Sequence, residues 1–166
     1  MSDKTDDLFA PPGENWIALD ARYLTKRRID VLTQWPLLLV PIVVVCFVFT
    51  PTWLAVAVLL AALIFLGYRV WRQKALYQAW GYAERDSDLY IKHGIFWRNL
   101  SIVPYGRMQA IEITAGPISR WLGLANVELV TAATVSGGTI PGVNKEEAQR
   151  LRERLLAKGE LQAAGL

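Results

Sequence analysis

Sulfur and imidazole ligands are nearly missing from this chain: Cys46 is its one cysteine and His93 its one histidine. A single thiol excludes an internal disulfide and a thiol metal cluster. One His with one Cys also falls short of the usual zinc donor set, and no run of spaced acids resembles a calcium loop. Ser136-Gly137-Gly138 lacks the lysine and the following helix of a phosphate-binding loop. Cys46 reads as a small packing residue, and His93, before Gly94, as a turn residue rather than a base. Nothing in the sequence assembles a nucleophile, a base and an orienting group, so the expectation is a non-enzymatic protein without a cofactor.

A second absence is larger. From 35 to 68 there is no Asp, Glu, Lys, Arg or His, and this run carries most of the excess behind a 53% hydrophobic content and a mean hydropathy of +0.24. As one straight helix those 34 residues would be about 51 Å long, against a hydrocarbon layer of roughly 30 Å. Thr50-Pro51-Thr52 divides the run into 34–49 and 53–68, each about 24 Å as a helix. Pro51 lacks an amide hydrogen and disfavours helix at the residue before it, so the triplet suits the loop of a helical hairpin. Trp35, Trp53, Tyr68 and Trp71 fall near the four expected ends, at headgroup depth. Pro41 is expected to kink the first helix or be absorbed by its neighbours, and Ala57 and Ala61 have the small-x-x-x-small spacing of close helix packing. Two other arrangements stand beside this one: a buried helix pair in a soluble fold, and a re-entrant hairpin entering from one leaflet. With no ionisable group at membrane depth, the hairpin reads as an anchor and not as an ion or proton path.

Charge placement is an independent indicator. Lys26, Arg27 and Arg28 precede the apolar run, Arg69, Arg72 and Lys74 follow it, and the loop has no charge. That pattern puts both termini in the cytoplasm and the loop outside, in a plasma-membrane protein that crosses the bilayer more than once. The first fourteen residues, MSDKTDDLFAPPGE, are acidic and contain proline, which argues against a secretory signal. The expected organisation is an N-terminal cytoplasmic segment over 1–33 with a disordered start, the hairpin over 34–70, a cytoplasmic domain over 71–159 and a tail over 160–166.

Beyond Trp71 the chain changes character. RQKALYQAWGYAERDSDL leads away with mixed charge, as a helical continuation or a first strand. LYIKHGIFWRNLSIV gives two strands, Leu89 and Ile91 alternating on one, His93-Gly94 at the turn, Leu100 and Ile102 on the return. RMQAIEIT places Ile111 and Ile113 around Glu112, ANVELVTA places Val127 and Leu129 around Glu128, and GGTIPGV suggests a last strand. NKEEAQRLRERLLAKG is a helix, with Asn144 as N-cap, Glu147 three residues on, an apolar stripe of Ala148, Leu151 and Leu155 beside Leu156, and Lys158-Gly159 as its end. Antiparallel strands followed by one amphipathic helix make an α+β layout.

Within 102–132, IVPYGRMQAIEITAGPISRWLGLANVELVTA carries Pro104, Arg107 and Gln109, then Gly116, Pro117, Arg120, Gly123, Leu124 and Ala125. This paired pattern resembles the bacterial pleckstrin-homology-like (PH-like) domain of the membrane-flanked type. The resemblance covers roughly 20–158 and implies two membrane helices ahead of a PH-like antiparallel sheet or open barrel closed by a C-terminal helix. It implies little about activity, because one fold hosts many binding roles.

Residues 69–166 hold 13 Lys and Arg against 9 Asp and Glu, a net of +4. A basic domain at the inner leaflet is drawn to anionic headgroups, by about 1 kcal/mol for each well-placed cation. Lys92, Arg98, Arg107 and Arg120 are the candidate headgroup-binding residues; the plainer reading makes them solvated charges, with Arg107 and Arg120 bonding loop carbonyls. Tyr90, Phe96 and Trp97 beside Arg98 could stack bases, but +4 is modest for phosphate tracking, and nucleic acid is not the expected partner. The expected partners are the lipid bilayer, anionic headgroups, and a protein or further copies of the chain. The function these features favour is a membrane-anchored cytoplasmic interaction module; the alternative is an accessory subunit of a transport or export assembly.

Overall fold

Thr50, Pro51 and Thr52 end one long helix and start another. In the computed structural model, which describes residues 15–131 and 138–163, α1 is Ala21–Phe49 and α2 is Thr52–Gln78. The Thr50 hydroxyl donates to the Cys46 carbonyl at 2.6 Å, and the Pro51 carbonyl accepts the amides of Leu54 and Ala55, which opens α2. Pro36 and Pro41 both lie within α1. The two helices form an antiparallel pair: the Trp35 ring meets Phe65 edge-on at 5.0 Å, the Arg69 guanidinium lies 4.6 Å over Trp35, and Arg27 Nε donates to Gln73 Oε1 at 2.8 Å. Both basic clusters therefore sit at one end of the pair and Thr50-Pro51-Thr52 at the other. Ala55 is fully buried, whereas Leu37 and Phe49 are each 81% exposed.

Both helices are longer than the apolar run alone indicates. α1 begins at Ala21 rather than at 34, and α2 continues past the run to Gln78, the helical one of the two readings open for that stretch. The added residues are charged and good helix formers, so the helix persists after the apolar composition ends.

The chain divides into Leu24–Ala75 and a second unit made of Met1–Tyr23 with Leu76–Leu166. In the second unit β1 (Gly81–Glu84), β2 (Asp88–His93) and β3 (Asn99–Pro104) form one antiparallel sheet. A 3-10 turn, Tyr105–Arg107, leads to β4 (Met108–Thr114); α3 (Pro117–Trp121), β5 (Leu124–Thr131) and β6 (Gly138–Asn144) follow, with β4, β5 and β6 as a second antiparallel sheet. α4, Lys145–Ala163, closes the unit. The α+β class and the order of strands and helix agree with the sequence reading.

One core joins these parts. Leu89, Ile91 and Val103 from the first sheet meet Leu124, Val127, Leu129 and Ile140 from the second, under Ala148, Leu151 and Leu155 of α4. One alternation pattern is shifted: on β3 the core residue is Val103, while Ile102 is 45% exposed. On β4 Ile111 packs against the core as expected, whereas Ile113, next to the end of the strand, is 41% exposed. The helix also runs past Gly159, where an end was expected: Gly159 packs against Tyr105 and Met108, and the Gln162 side chain accepts the Gly106 amide at 2.9 Å, so tertiary contacts hold the last turn.

Residues before the hairpin take part in this unit. Ile17 exchanges two backbone hydrogen bonds with Tyr82, Leu19 and Tyr23 are buried in the core, and the Tyr77 hydroxyl donates to the Leu19 carbonyl at 2.7 Å. Tyr23 lies on Gly142, whose φ is +65° and where a Cβ would fall 2.2 Å from the ring. Opposite, Asn126 of β5 faces the bulge at Pro141-Gly142 in β6 and accepts the Gly142 amide through its side chain at 3.1 Å. The disordered start expected before residue 15, the Ser136-Gly137 pair and the end of the tail at 164–166 lie outside the described residues.

Candidate functional site

The four candidate cations occupy three places in the sheet unit. Lys92 is on β2, opposite Gly81 on one side and Leu100 on the other, with its ammonium 4.0 Å over the Trp16 ring. Burial lowers the Lys92 pKa, since desolvation disfavours the charged form. Arg98 is exposed in the 94–98 loop between β2 and β3. Arg107, also exposed, ends the 3-10 turn beyond the far end of β3, so about 17 Å of strand separates its neighbourhood from that of Arg98. Arg120 is exposed on α3. Lys92 and Arg98 thus share one hairpin, and Arg107 stands at the opposite end of it. Among the described residues neither the Arg107 nor the Arg120 guanidinium makes a hydrogen bond or ion pair.

The recurrent glycines and prolines have local reasons. Pro104 is extended and precedes the 3-10 turn. Gly116 lends its carbonyl to the Arg120 amide at 2.9 Å, Pro117 occupies the first turn of α3, where its missing amide is no loss, and Gly123 leaves that helix with φ +72°. α3 was not legible as a helix in the sequence, since five residues are too few to show a period.

His93 is the last residue of β2, paired with Asn99, and the turn is the five-residue loop after it rather than His93-Gly94 itself. Its ring stacks on Trp80 at 4.7 Å and 18°, Asn99 Nδ2 lies 3.5 Å from Nε2, and Nδ1 is buried without a partner. A cleft of about 430 Å³ adjoins it, lined also by Ser101 of β3 and Thr139 of β6. No Asp or Glu is among the residues that line that cleft. Among the described residues no group of three or more His, Cys, Asp or Glu is placed to hold a metal ion.

Two buried phenols stand out at the other side of the core. Tyr105 donates to the Arg85 carbonyl at 3.0 Å, and Lys158 donates to the same carbonyl at 2.6 Å while lying 5.1 Å over the Tyr105 ring. Burial pushes both Tyr105 and Tyr82 up to about 12, with nearby Glu84 adding to each. These are structural joints between β1, the 3-10 turn and α4.

The surface feature that sequence reasoning misplaced is aromatic. Phe96 and Trp97 are 79% and 85% exposed at the tip of the 94–98 loop, not on a sheet face beside Tyr90, and Trp121 on α3 is 79% exposed. The signal was present: Ile95-Phe96-Trp97 is three apolar residues in a row, which breaks the alternation of the flanking strands.

This unit of two three-stranded sheets closed by a C-terminal helix, preceded by two apolar helices, has a counterpart among known families. The model of the bacterial PH domain matches residues 36–159. The chain belongs to that family. A relative, the UPF0699 transmembrane protein YdbS of Bacillus subtilis (strain 168), is 37% identical over 82 residues, 49% of this chain and 50% of the relative. The chain thus spans about half the length of that curated relative. No solved structure matches it. A transmembrane relative and two exposed apolar helices together make this bacterial PH domain protein membrane-associated.

Proposed function

We propose that the chain is a two-span, multi-pass protein of the cell membrane that holds its PH-like unit in the cytoplasm, with both termini on that side, as a non-enzymatic interaction module. Its partner is a protein, further copies of the chain, or anionic lipid headgroups. One observation carries this reading: both cationic clusters lie at the same end of a hairpin whose apolar side chains are exposed, with the uncharged Thr50-Pro51-Thr52 loop at the other. Cations are retained on the cytoplasmic side. The exposed Arg107 and Arg120, unpaired among the described residues, support the headgroup arm.

Extraction in mild detergent tests the reading in two ways. The chain should leave the membrane alone or as a homo-oligomer; stoichiometric recovery with polytopic subunits would make it an accessory subunit instead. The Arg107→Ala, Arg120→Ala double variant should retain less phosphatidylglycerol on extraction with an unchanged Tm. Parallel falls in lipid and Tm would mean that the two arginines are structural.

A further inference from the structure

The most exposed large apolar side chains of the sheet unit, among the described residues, are Trp97, Phe96 and Trp121. Water is a poor solvent for all three, and Phe96 and Trp97, adjacent in one loop, form an exposed apolar patch of the kind that marks a contact surface. Their positions within the unit are not scattered. Lys92 pairs with Gly81 and the His93 ring stacks on Trp80, so the 94–98 loop continues past the start of β1. Its apex lies roughly 7–10 Å beyond His93. The start of β1 is where the chain enters the unit, only two residues after α2 ends at Gln78. Trp121 stands two residues before Gly123, where an added Cβ would lie 3.5 Å from the Arg22 guanidinium. Arg22 adjoins Tyr23, where the chain leaves the unit. Each exposed tryptophan is therefore beside one of the two points at which the apolar hairpin is tethered.

The tip is built to present its side chains. Gly94 has φ +100°, and a Cβ there would fall 1.9 Å from the Trp97 carbonyl oxygen, so the loop closes tightly, with Phe96 and Trp97 exposed at its tip. Arg98 follows Trp97 directly, the aromatic-then-cationic order that suits the headgroup region.

We propose that the Phe96-Trp97 tip, with Trp121 as a second point, inserts into the interfacial layer of the bilayer that holds the hairpin, so that the sheet unit docks on lipid through aromatic side chains. The inference rests on the membrane-anchored reading above but not on its headgroup arm.

The test uses the full chain in nanodiscs holding one copy, with Cys46→Ala removing the native thiol. A nitroxide is attached in turn through Trp97→Cys, Trp121→Cys and, as an exposed control on α4, Glu153→Cys. Collision with an aqueous nickel chelate should be several-fold lower at 97 and 121 than at 153, and collision with oxygen higher. The same contrast should hold in discs of phosphatidylcholine alone and of phosphatidylcholine with phosphatidylglycerol. Equal exposure to nickel at all three positions overturns the proposal. So does shielding seen only with the anionic lipid, which would assign the contact to charge, or only in discs holding several copies, which would assign it to the chain itself. None of these outcomes depends on lipid retention by Arg107 and Arg120, so the two readings fail separately.

Discussion

Leu37 and Leu151 are the same side chain in opposite circumstances: Leu37, in the hairpin, is 81% exposed, and Leu151, in α4, is fully buried. Around Leu151 the protein supplies its own apolar solvent, from Leu89 to Leu155. Around Leu37 it supplies almost none, and only 6% of the most apolar stretch of either long helix is buried. Apolar content alone therefore says little about where a core lies. What separates the two regions is pattern: continuous apolar sequence in the hairpin, and alternation or a one-sided stripe in the sheet unit. The first needs lipid on its outside, while the second closes on itself.

The comparison can be broken most strongly by trimming the two leucines. Leu151→Ala should cost the sheet unit about 2–5 kcal/mol through lost contacts and a residual cavity. Leu37→Ala should leave the denaturant midpoint of that unit unchanged. Equal losses, read by tryptophan fluorescence in detergent, would mean that the two regions share one core.

Alkaline pH sharpens it next. Tyr105 stays neutral in the fold up to about 12, whereas the unfolded phenol ionises near 10, so unfolding releases a proton between these values. Stability of the sheet unit is fully present below pH 10 and falls as the pH rises towards 12. Tyr105 alone accounts for about 2–3 kcal/mol of that fall. Tyr105→Phe should flatten this limb of a stability-against-pH curve; an unchanged limb would contradict the burial of the phenol.

The smallest effect belongs to the surface. Arg154 lies 3.3 Å from Glu84, linking α4 to β1 with the arginine 45% exposed. Arg154→Ala should cost less than about 1 kcal/mol, and added salt should shrink the difference further. A loss as large as that of Leu151→Ala would show that this pair, rather than the apolar stripe, seats the helix.

Much of this architecture was legible in the sequence because its signals are long or regular. The uncharged run with its Thr-Pro-Thr break gave the helical pair, Leu89 and Ile91 the inner face of β2, Val127 and Leu129 that of β5, and Ala148, Leu151 and Leu155 the face of α4. What stayed hidden depends on contacts distant in sequence. Ile17 joins the sheet through one bridge to Tyr82, and a single pair leaves no period to read. The overrun of α1 to Ala21 hid behind a change in composition that is not a change in conformation, whereas the continuation of α2 to Gln78 was one of the two readings left open for that stretch. Of the candidate site, the types of residue were visible and their grouping was not: Lys92 and Arg98 share a hairpin, Arg107 lies at its other end, and the exposed aromatic tip was read as part of a strand face.

The central claim is that lipid surrounds the hairpin and that the sheet unit stays inside the cell. In a Cys46→Ala background, Pro51→Cys and Glu153→Cys can be exposed in intact cells to a maleimide that does not cross membranes, before and after permeabilisation. The account predicts labelling at 51 in intact cells, labelling at 153 only after permeabilisation, and retention of both chains in the membrane through a carbonate wash. A thiol at 51 that stays unreachable, in a chain that carbonate strips away, would contradict it.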